Sequence, residues 1–278
     1  MTNAPIAKAM TIAGSDSGAG AGIQADLKTF WAFDVYGTSV LTAVTAQNTI
    51  EVAAIAEVPE EVVIAQIDTV FEDIGADAVK IGMLSSRTII ENVVDRLEAW
   101  GPGHIVVDPV MISKSGAPLL QPDAIRSLAN ELLPHATIVT PNVPEAEVLS
   151  KRKIESAEDI REAARAIHAL GPKLVIIKGG HLSGPAVDLV FDGESFTPIE
   201  GERIDTKNTH GTGCTYSAAI TALLARGCEQ MEAIRLAKRY IEAALISSYA
   251  IGSGHSPVNH ATPLPEVIVQ ALGALSHD

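Results

Sequence analysis

The sequence lacks the two segments that most often direct a protein to a membrane. No apolar run approaches the ~20 residues that a membrane-spanning helix requires. The opening residues, MTNAPIAKAMTIAG, also lack the positively charged region that precedes the apolar part of a signal peptide. These absences predict a cytoplasmic protein with no membrane partner.

Positive charge is also scarce. The chain carries 20 Lys and Arg residues against 34 Asp and Glu residues, which gives a formal net charge of −14. Because such a surface repels polyanions, the sequence predicts no nucleic-acid partner and no general affinity for anionic lipid. Any phosphate that the protein binds must therefore be held by a local group of residues.

The chain has only two cysteines, Cys214 and Cys228. Mostly helical chain between them would hold the thiols roughly 20 Å apart, which is too far for a disulfide. Unpaired thiols are typical of a reducing compartment, so each cysteine needs an explanation of its own.

Apolar runs alternate with amphipathic stretches along almost all of the 278 residues. The apolar runs predict strands at 9–13, 39–45, 52–56, 78–81, 105–107, 137–140 and 174–178, and a hairpin across 187–198. The amphipathic stretches predict helices at 23–33, 60–74, 86–100, 123–132, 157–170, 215–225 and 231–250. This alternation predicts a three-layer α/β sandwich with a central, mostly parallel sheet flanked by helices. Since no linker or repeat divides the chain, we expect one domain over residues 1–278.

Ligands of such sheets bind beyond the carboxyl ends of the strands, so the residues that follow the strands deserve most attention. The first such segment, residues 14–22, is glycine-rich and joins a strand to a helix. It is neither a Walker A loop nor a regular dinucleotide-binding motif. A tight turn and a binding loop both explain it.

A second segment, Gly211-Thr-Gly-Cys214, precedes an apolar helix. Backbone N–H groups and the helix dipole there favour an anion. A cysteine in the first turn of that helix is expected to have a lowered pKa and to act as a base or nucleophile. The alternative is a small buried residue that closes the turn.

Three further segments follow strands. Asn142 and Glu145 are three residues apart and offer oxygen ligands to Mg²⁺, although this spacing is common at helix starts and, taken alone, favours a helix cap. Asp108 ends an apolar strand and either holds a metal-bound water near phosphate or starts a turn. Lys178 ends another strand and either contacts phosphate or is exposed. Together the segments predict a small-molecule kinase that uses ATP and Mg²⁺. Residues 112–118 are a candidate lid or an ordinary surface loop.

These motifs in combination resemble the hydroxymethylpyrimidine/phosphomethylpyrimidine kinases of thiamine biosynthesis, in the ribokinase-like superfamily. The resemblance runs from TIAGSD and AGIQADLKTF through KIGML, DPVM and TPN to KGGH and NTHGTGCT, and so covers nearly the whole chain. It implies a ribokinase-like fold and, usually, a homodimer. It also implies that the chain phosphorylates 4-amino-5-hydroxymethyl-2-methylpyrimidine and then its monophosphate.

The resemblance also implies roles for individual residues. Cys214 takes the position of the superfamily's catalytic aspartate, beside an anion hole formed by Gly211, Thr212 and Gly213. Asn142 and Glu145 match the magnesium motif. The residues implied to line the pyrimidine pocket are Gly14, Asp26, Gln47, Met83 and Val110. Those implied to bind ATP or its phosphates are Asp108, Lys178, Lys207, Thr209 and Thr212. One departure is Ala19, which replaces a glycine in the first loop and leaves the path of that loop less certain.

Three other functions fit parts of the sequence. A vitamin B6 kinase has the same scaffold, but the Gln47 carboxamide matches a ring nitrogen beside an exocyclic amine, which pyridoxal lacks. A cysteine hydrolase would use Cys214 with His210, yet Gly211 and Gly213 intervene and no third residue orients the histidine. A nucleotide-binding protein without activity would not need Cys214 together with Asn142 and Glu145.

Overall fold

The computed structural model describes residues 6–113, 116, 119–179 and 186–275. The strands are β1 (Lys8–Asp16), β2 (Tyr36–Gln47), β3 (Val52–Glu57), β4 (Ala78–Ile81), β5 (His104–Val107), β6 (Ile138–Val139), β7 (Leu174–Ile177), β8 (Asp188–Phe191) and β9 (Phe196–Ile199). The helices are α1 (Gly22–Ala32), α2 (Glu60–Asp73), α3 (Arg87–Trp100), α4 (Ala124–Ser127), α5 (Val143–Ser150), α6 (Ala157–His168), α7 (Thr212–Ala225), α8 (Gln230–Ile246) and α9 (Glu266–Leu275).

The strands form one sheet in the order β3-β2-β1-β4-β5-β6-β7-β8-β9. From β2 to β7 every pairing is parallel, whereas β3, β8 and β9 pair antiparallel with their neighbours. The carboxyl ends of the parallel strands therefore meet at one edge, here called the carboxyl edge. The predicted central, mostly parallel sheet is confirmed.

Helices cover both faces of this sheet, because alternate residues of each strand point to opposite sides. On one face α2, α3, α4, α5 and α6 pack against strand residues such as Val79, Val107 and Val175. On the other, α1, α7, α8 and α9 pack against Ala78, Val106 and Ile176. The central strands are buried on both faces, which explains why they read as continuous apolar runs.

The predicted elements agree with the structure except near their ends. The predicted helix 231–250 stops at Ile246, where the Ser247 hydroxyl donates to the Ala243 carbonyl at 2.7 Å and the backbone leaves the helical conformation. The predicted helix 123–132 contains the short α4, followed by a π-helical turn over Leu128–Leu132. Helix α9 was not predicted, although Pro265 and Glu266 form a common helix start.

Both cysteines are free, as expected. Within the described residues, no helix is long and apolar enough to cross a membrane. Lys114, Ser115, Ala117 and Pro118 of the candidate lid lie outside the described residues, as do Gly180 and His181 of the KGGH motif.

The glycine-rich turn between β1 and α1 is wound around Asp16. The Asp16 carboxylate accepts hydrogen bonds from the backbone N–H groups of Gly18 (2.8 Å), Gly20 (3.1 Å) and Ala21 (2.9 Å). To close this turn, Ala19 takes a left-handed conformation with φ of 59°. This conformation is one that glycine adopts without the steric cost of a Cβ.

We predict that Ala19→Gly stabilises the protein by about 0.5–1 kcal/mol, because the relief of left-handed strain exceeds the added freedom of the unfolded chain. Urea unfolding of the two proteins measures the difference. Ala54→Gly is the matched control, since Ala54 lies in the extended strand β3 and glycine there should destabilise. Equal losses in both variants would contradict the strain at Ala19.

Candidate functional site

A buried ion pair lies where β5 and β7 reach the carboxyl edge. The Lys178 ammonium is 2.9 Å from Oδ1 of Asp108, which also accepts a hydrogen bond from the Thr140 hydroxyl at 3.1 Å. The alternative that Lys178 is an exposed strand-end residue is therefore wrong, because its side chain is 16% exposed and paired. Burial of an ammonium group is strongly destabilising unless a group of opposite charge is paired with it.

The first turn of α7 rests directly on this pair. A Cβ on Gly213 would lie 3.2 Å from Lys178 Nζ and 3.3 Å from Asp108 Oδ2. Gly213 is inside the helix and not in a loop before it, because α7 begins at Thr212 and Gly211 is its N-cap. The N–H groups of this turn have no acceptor within the helix, so they add to the attraction for an anion beside Lys178.

Gly211 joins the glycine-rich turn to α7. Its φ is +74°, and a Cβ there would lie 1.8 Å from the carbonyl oxygen of Gly20. Glycine is needed at this position for both reasons. The contact brings the loop after β1 against the start of α7, as the predicted binding site requires.

Cys214 lies in the first turn of α7, as predicted, but its predicted lowered pKa is wrong. Burial raises the pKa of the thiol to about 11, and the carboxylates of Asp26 and Asp108 raise it further, whereas Lys80 and the backbone N–H of Gly22 lower it. A helix N-terminus does not compensate for removal of the thiolate from water. The isolated site therefore holds a neutral thiol at pH 7.

Gly14 and Met83 meet at the ends of β1 and β4, where a Cβ on Gly14 would lie 3.1 Å from the Met83 sulfur. Asp26 lies on the side of α1 that faces the sheet, completely buried. Its Oδ2 accepts hydrogen bonds from the Thr11 hydroxyl (2.6 Å) and the Lys80 ammonium (2.9 Å). A cavity of about 450 Å³ lies beside Met83. Of the five residues predicted to line the pyrimidine pocket, Gly14 and Met83 are thus in contact, and Met83 alone lines this cavity.

Gln47 ends β2 and turns toward the loop that precedes α7. Its side-chain nitrogen is 3.4 Å from Nε2 of His210, and its oxygen accepts a hydrogen bond from the Thr45 hydroxyl at 3.2 Å. His210 Nε2 is also 2.8 Å from Asp16 Oδ2. Burial raises the pKa of Asp16, but His210 and the loop N–H groups outweigh it and lower that pKa overall.

No partner for His210 is evident from the sequence, yet Asp16 is that partner. Asp16 precedes a run of glycines, and this arrangement is itself the signal of a carboxylate that caps a loop. Lys80 was missed as well, although a lysine inside the buried strand Ala-Val-Lys-Ile needs a buried partner. Both residues belong to the site.

Asn142 and Glu145 form a capping box at the start of α5. The Asn142 side chain accepts from the Glu145 N–H at 2.9 Å, and the Glu145 carboxylate accepts from the Asn142 N–H at 2.8 Å. The capping alternative is therefore confirmed, and the metal role stays a prediction. Burial raises the pKa of Glu145 to about 7, Lys178 lowers it and Asp108 raises it, so this carboxylate faces the ion pair.

The other predicted residues are less closely joined to this centre. Lys207 is exposed, and Val110 is half-buried in the turn after Asp108. The Thr209 carbonyl accepts a hydrogen bond from the Thr212 hydroxyl at 2.7 Å, which ties the NTHG segment to α7. A cavity of about 570 Å³ beside Phe71 and Trp100, near the opposite edge of the sheet, contains none of the predicted site residues.

Comparison with known proteins identifies the relatives of this arrangement. The family model for phosphomethylpyrimidine kinase matches residues 16–259. The hydroxymethylpyrimidine/phosphomethylpyrimidine kinase of Rhizobium meliloti is 51% identical over 91% of this chain and 96% of its own. The thiamine biosynthesis bifunctional protein ThiED of Geobacter sulfurreducens is 50% identical over 95% of this chain, which spans 54% of that longer protein. A Bacillus subtilis pyridoxal kinase, solved as an ADP complex, is 42% identical and superposes with a TM-score of 0.87 over 93% of this chain and 98% of its own.

We predict a pH-dependent stability difference between the wild type and Glu145→Gln. Burial raises the pKa of Glu145 to about 7, above its ordinary value of 4.5, so the contribution of this carboxyl to stability is fully present below pH 4.5 and is lost as the pH rises through 7. Glutamine keeps the cap but cannot ionise. The variant should therefore gain roughly 2–4 kcal/mol relative to the wild type between pH 4.5 and pH 8.

Thermal unfolding across this pH range measures the effect. Glu147→Gln is the matched control on the same helix, because the backbone N–H of Ile154 lowers the pKa of Glu147 and its ionised form is the stabilising one. That variant should show no gain at pH 8. A constant difference between Glu145→Gln and the wild type would contradict the raised pKa.

Proposed function

The chain belongs to the phosphomethylpyrimidine kinase family, and on this premise we propose its reactions and the roles of its residues. It transfers the terminal phosphoryl group of ATP to the hydroxyl of 4-amino-5-hydroxymethyl-2-methylpyrimidine. It then transfers a second phosphoryl group to the monophosphate, and the diphosphate serves thiamine biosynthesis.

One observation supports this proposal most strongly: the Lys178–Asp108 pair, the start of α7 and Cys214 meet at one end of the sheet. Phosphoryl transfer depends mainly on positioning and on stabilising charge on the transferred group. Lys178 and the N–H groups of Gly213 and Cys214 supply positive charge for the phosphoryl oxygens. Thr209, Thr212 and Lys207 contact the remaining phosphates of ATP.

Cys214 acts as the base for the acceptor hydroxyl. Because its thiol is neutral in the free protein, the thiolate has to be favoured by positive charge when the substrates bind. The proton then moves from the hydroxyl to the sulfur as the hydroxyl oxygen bonds to phosphorus. No covalent phosphoenzyme forms.

Asn142, Glu145 and Asp108 would hold Mg²⁺, chiefly through water. No group of three or more described His, Cys, Asp or Glu residues could enclose a metal ion, and Mg²⁺ bound with nucleotides usually takes most of its ligands from phosphate and water. Burial raises the pKa of the Glu145 carboxyl, and a Mg²⁺ ion bound beside it would favour the ionised form of this group. Bound Mg²⁺ neutralises charge on the phosphates of ATP.

Gln47, Asp26, Met83, Gly14 and Val110 form the pyrimidine pocket. The Gln47 amide offers a donor and an acceptor side by side to the aminopyrimidine edge, after it exchanges its contacts with His210 and Thr45 for the ligand. Met83 packs on the ring, and the lack of a side chain at Gly14 leaves room for the Met83 sulfur.

A second candidate function is phosphorylation of vitamin B6. The structural similarity to a pyridoxal kinase at 42% identity favours it as a further activity. Since the anion hole and the base act on the hydroxymethyl group alone, both acceptors can use them. The choice between the two acceptors then depends on the side chains that contact the ring, such as Gln47 and Met83.

The chain forms a homodimer through β2 and β3. Strand β3 is an edge of the sheet, and Val44, Ile50 and Ile55 are between 41% and 59% exposed along this ribbon. Long apolar edges of this kind are normally covered. Light scattering of the purified chain tests the proposal.

The free thiols of Cys214 and Cys228 fit a reducing compartment such as the cytoplasm.

The test of the proposed function is an assay of ADP formation with ATP, Mg²⁺ and hydroxymethylpyrimidine, with pyridoxal as a second acceptor. We expect ADP with the pyrimidine, and none when EDTA removes the metal. ADP formation with pyridoxal alone would replace the first proposal by the second. No ADP with either acceptor would overturn both.

We predict that Cys214→Ala lowers kcat about 10²–10⁴-fold, the usual contribution of a general base, while the Kd for ATP stays within a few-fold of the wild type. Steady-state kinetics and calorimetry with ATP measure the two effects. Cys228→Ala is the matched control because Cys228 is buried against α8, away from the carboxyl edge, and its kcat should not change. Near-normal turnover of Cys214→Ala would exclude Cys214 as the general base.

We predict that Gln47→Met lowers kcat/KM for hydroxymethylpyrimidine roughly 5- to 150-fold, because a buried hydrogen-bonding partner contributes about 1–3 kcal/mol. The KM for ATP should stay the same, and activity on pyridoxal should stay or increase. The measurement is kcat/KM for both acceptors in the wild type and the variant. An equal loss on both acceptors would mean that Gln47 supports the fold and does not select the ring.

A further inference from the structure

Two parts of the chain lie beside Gln47 and have no role in the function described so far. Ser17 follows Asp16 in the glycine-rich turn, and residues 251–256 follow α8. Both are joined by hydrogen bonds to the turn between β2 and β3, which begins at Gln47. That turn is therefore held at two points by distant parts of the chain.

Gln47 lies where the regular pairing of β2 ends. The ladder between β2 and β3 shifts register between Ala46 and Gln47. On the other side of β2, the last pair with β1 joins Thr45 to Asp16. A register shift of this kind redirects the side chain beside it and interrupts the ladder. The direction of the Gln47 side chain must therefore be fixed by contacts outside the ladder.

The Ser17 hydroxyl supplies such contacts. Its Oγ accepts a hydrogen bond from the Gln47 N–H at 2.7 Å and donates one to the Gln47 carbonyl at 2.8 Å. One hydroxyl thus bonds both backbone groups of Gln47, as a residue on a neighbouring strand would. Ser17 is itself held in place, because the preceding Asp16 carboxylate accepts three N–H groups of the same turn.

Residues 251–256 hold the β2–β3 turn at Thr49. The His255 N–H donates to the Thr49 carbonyl at 2.7 Å, and the Gly254 N–H donates to the Thr49 hydroxyl at 3.2 Å. A Cβ on Gly254 would lie 2.0 Å from the Thr49 carbonyl oxygen. The two backbones are therefore in direct contact, and any side chain at position 254 would displace the turn.

These contacts form a closed circuit through His210. The His210 N–H donates to the Ser256 carbonyl at 3.1 Å, and the His210 carbonyl accepts from the Val258 N–H at 3.3 Å. The His210 ring is bonded in turn to Asp16, the residue before Ser17. The glycine-rich turn, the β2–β3 turn and the segment after α8 thus restrain one another around Gln47.

We propose that Ser17 and residues 251–256 are positioning elements for the acceptor, because they fix the backbone at Gln47 and thereby the direction of its amide. The inference rests on the proposed role of Gln47 at the ring of the acceptor. Neither Ser17 nor Gly254 has to touch the acceptor for this role. If the backbone at Gln47 is released, the acceptor has to order the amide as it binds, and its affinity falls.

Hydrogen exchange without substrates tests the restraint itself. Ser17→Ala should accelerate exchange of the Gln47 N–H about 3- to 10-fold, the effect of losing one hydrogen bond. Ser17→Thr keeps the hydroxyl and should exchange like the wild type. Ser195→Ala is the matched control, because Ser195 bonds Asp192 in the β8–β9 turn, and it should leave Gln47 unchanged. Unchanged exchange in Ser17→Ala would overturn the inference.

Kinetics with ATP and hydroxymethylpyrimidine test the consequence. Ser17→Ala and Gly254→Ala should each raise the KM for the pyrimidine about 3- to 10-fold and leave the KM for ATP unchanged. In a Gln47→Met background neither should have a further effect, because the amide that they position is gone. Gly273→Ala is the matched control for Gly254→Ala, since a Cβ there meets nothing within 4 Å.

Equal increases of this KM in the wild-type and Gln47→Met backgrounds would mean that Ser17 and Gly254 only support the fold, and would overturn the inference. An unchanged KM in Ser17→Ala would overturn it as well, while an active wild type leaves the proposed function intact. If the wild type forms no ADP with hydroxymethylpyrimidine, the proposed function fails first, and the inference fails with it.

Discussion

Charge has to be buried where the strands of the sheet end, and the other parts of the site are arranged around that requirement. Lys178 and Lys80 lie on the sheet face that α1 and α7 cover, and neither could remain charged there without a carboxylate. Asp108 reaches Lys178 from the next but one strand, and Asp26 reaches Lys80 from α1. These pairs join the sheet to the helix layer. The glycines at positions 82 and 213 are then needed, because any side chain there would meet an ammonium group.

The regular parts of the fold could be predicted from the sequence because their signals are local. The strand over Ala78–Ile81 and the helix predicted over 157–170, which is α6, are both present. Prediction failed where a distant group decides the outcome. Gly213, for example, lies inside α7 against Lys178 and Asp108, which are both distant from it in sequence.

The same distinction applies to the chemistry of the site. The helix N-terminal position of Cys214 was evident from the sequence and suggested a lowered pKa. Burial, which depends on how α1, α7 and the sheet pack together, reverses the direction. Likewise the spacing of Asn142 and Glu145 identified a helix cap, but only the fold brings the Glu145 carboxyl beside Lys178 and Asp108. The residue types of the site could be predicted from the sequence. The protonation states of their side chains could not, because these depend on burial and on charges brought near by the fold.

The contact between Gly20 and Gly211 also has a mechanical consequence. The backbone of the loop after β1 touches the backbone at the start of α7, with no side chain between them to adjust. A shift of either segment must therefore move the other, so the parts of the site proposed to hold the acceptor and the phosphates would behave as one preorganised unit. Such coupling is reciprocal, and an acceptor that orders the loop would tighten nucleotide binding by the same factor by which nucleotide tightens acceptor binding.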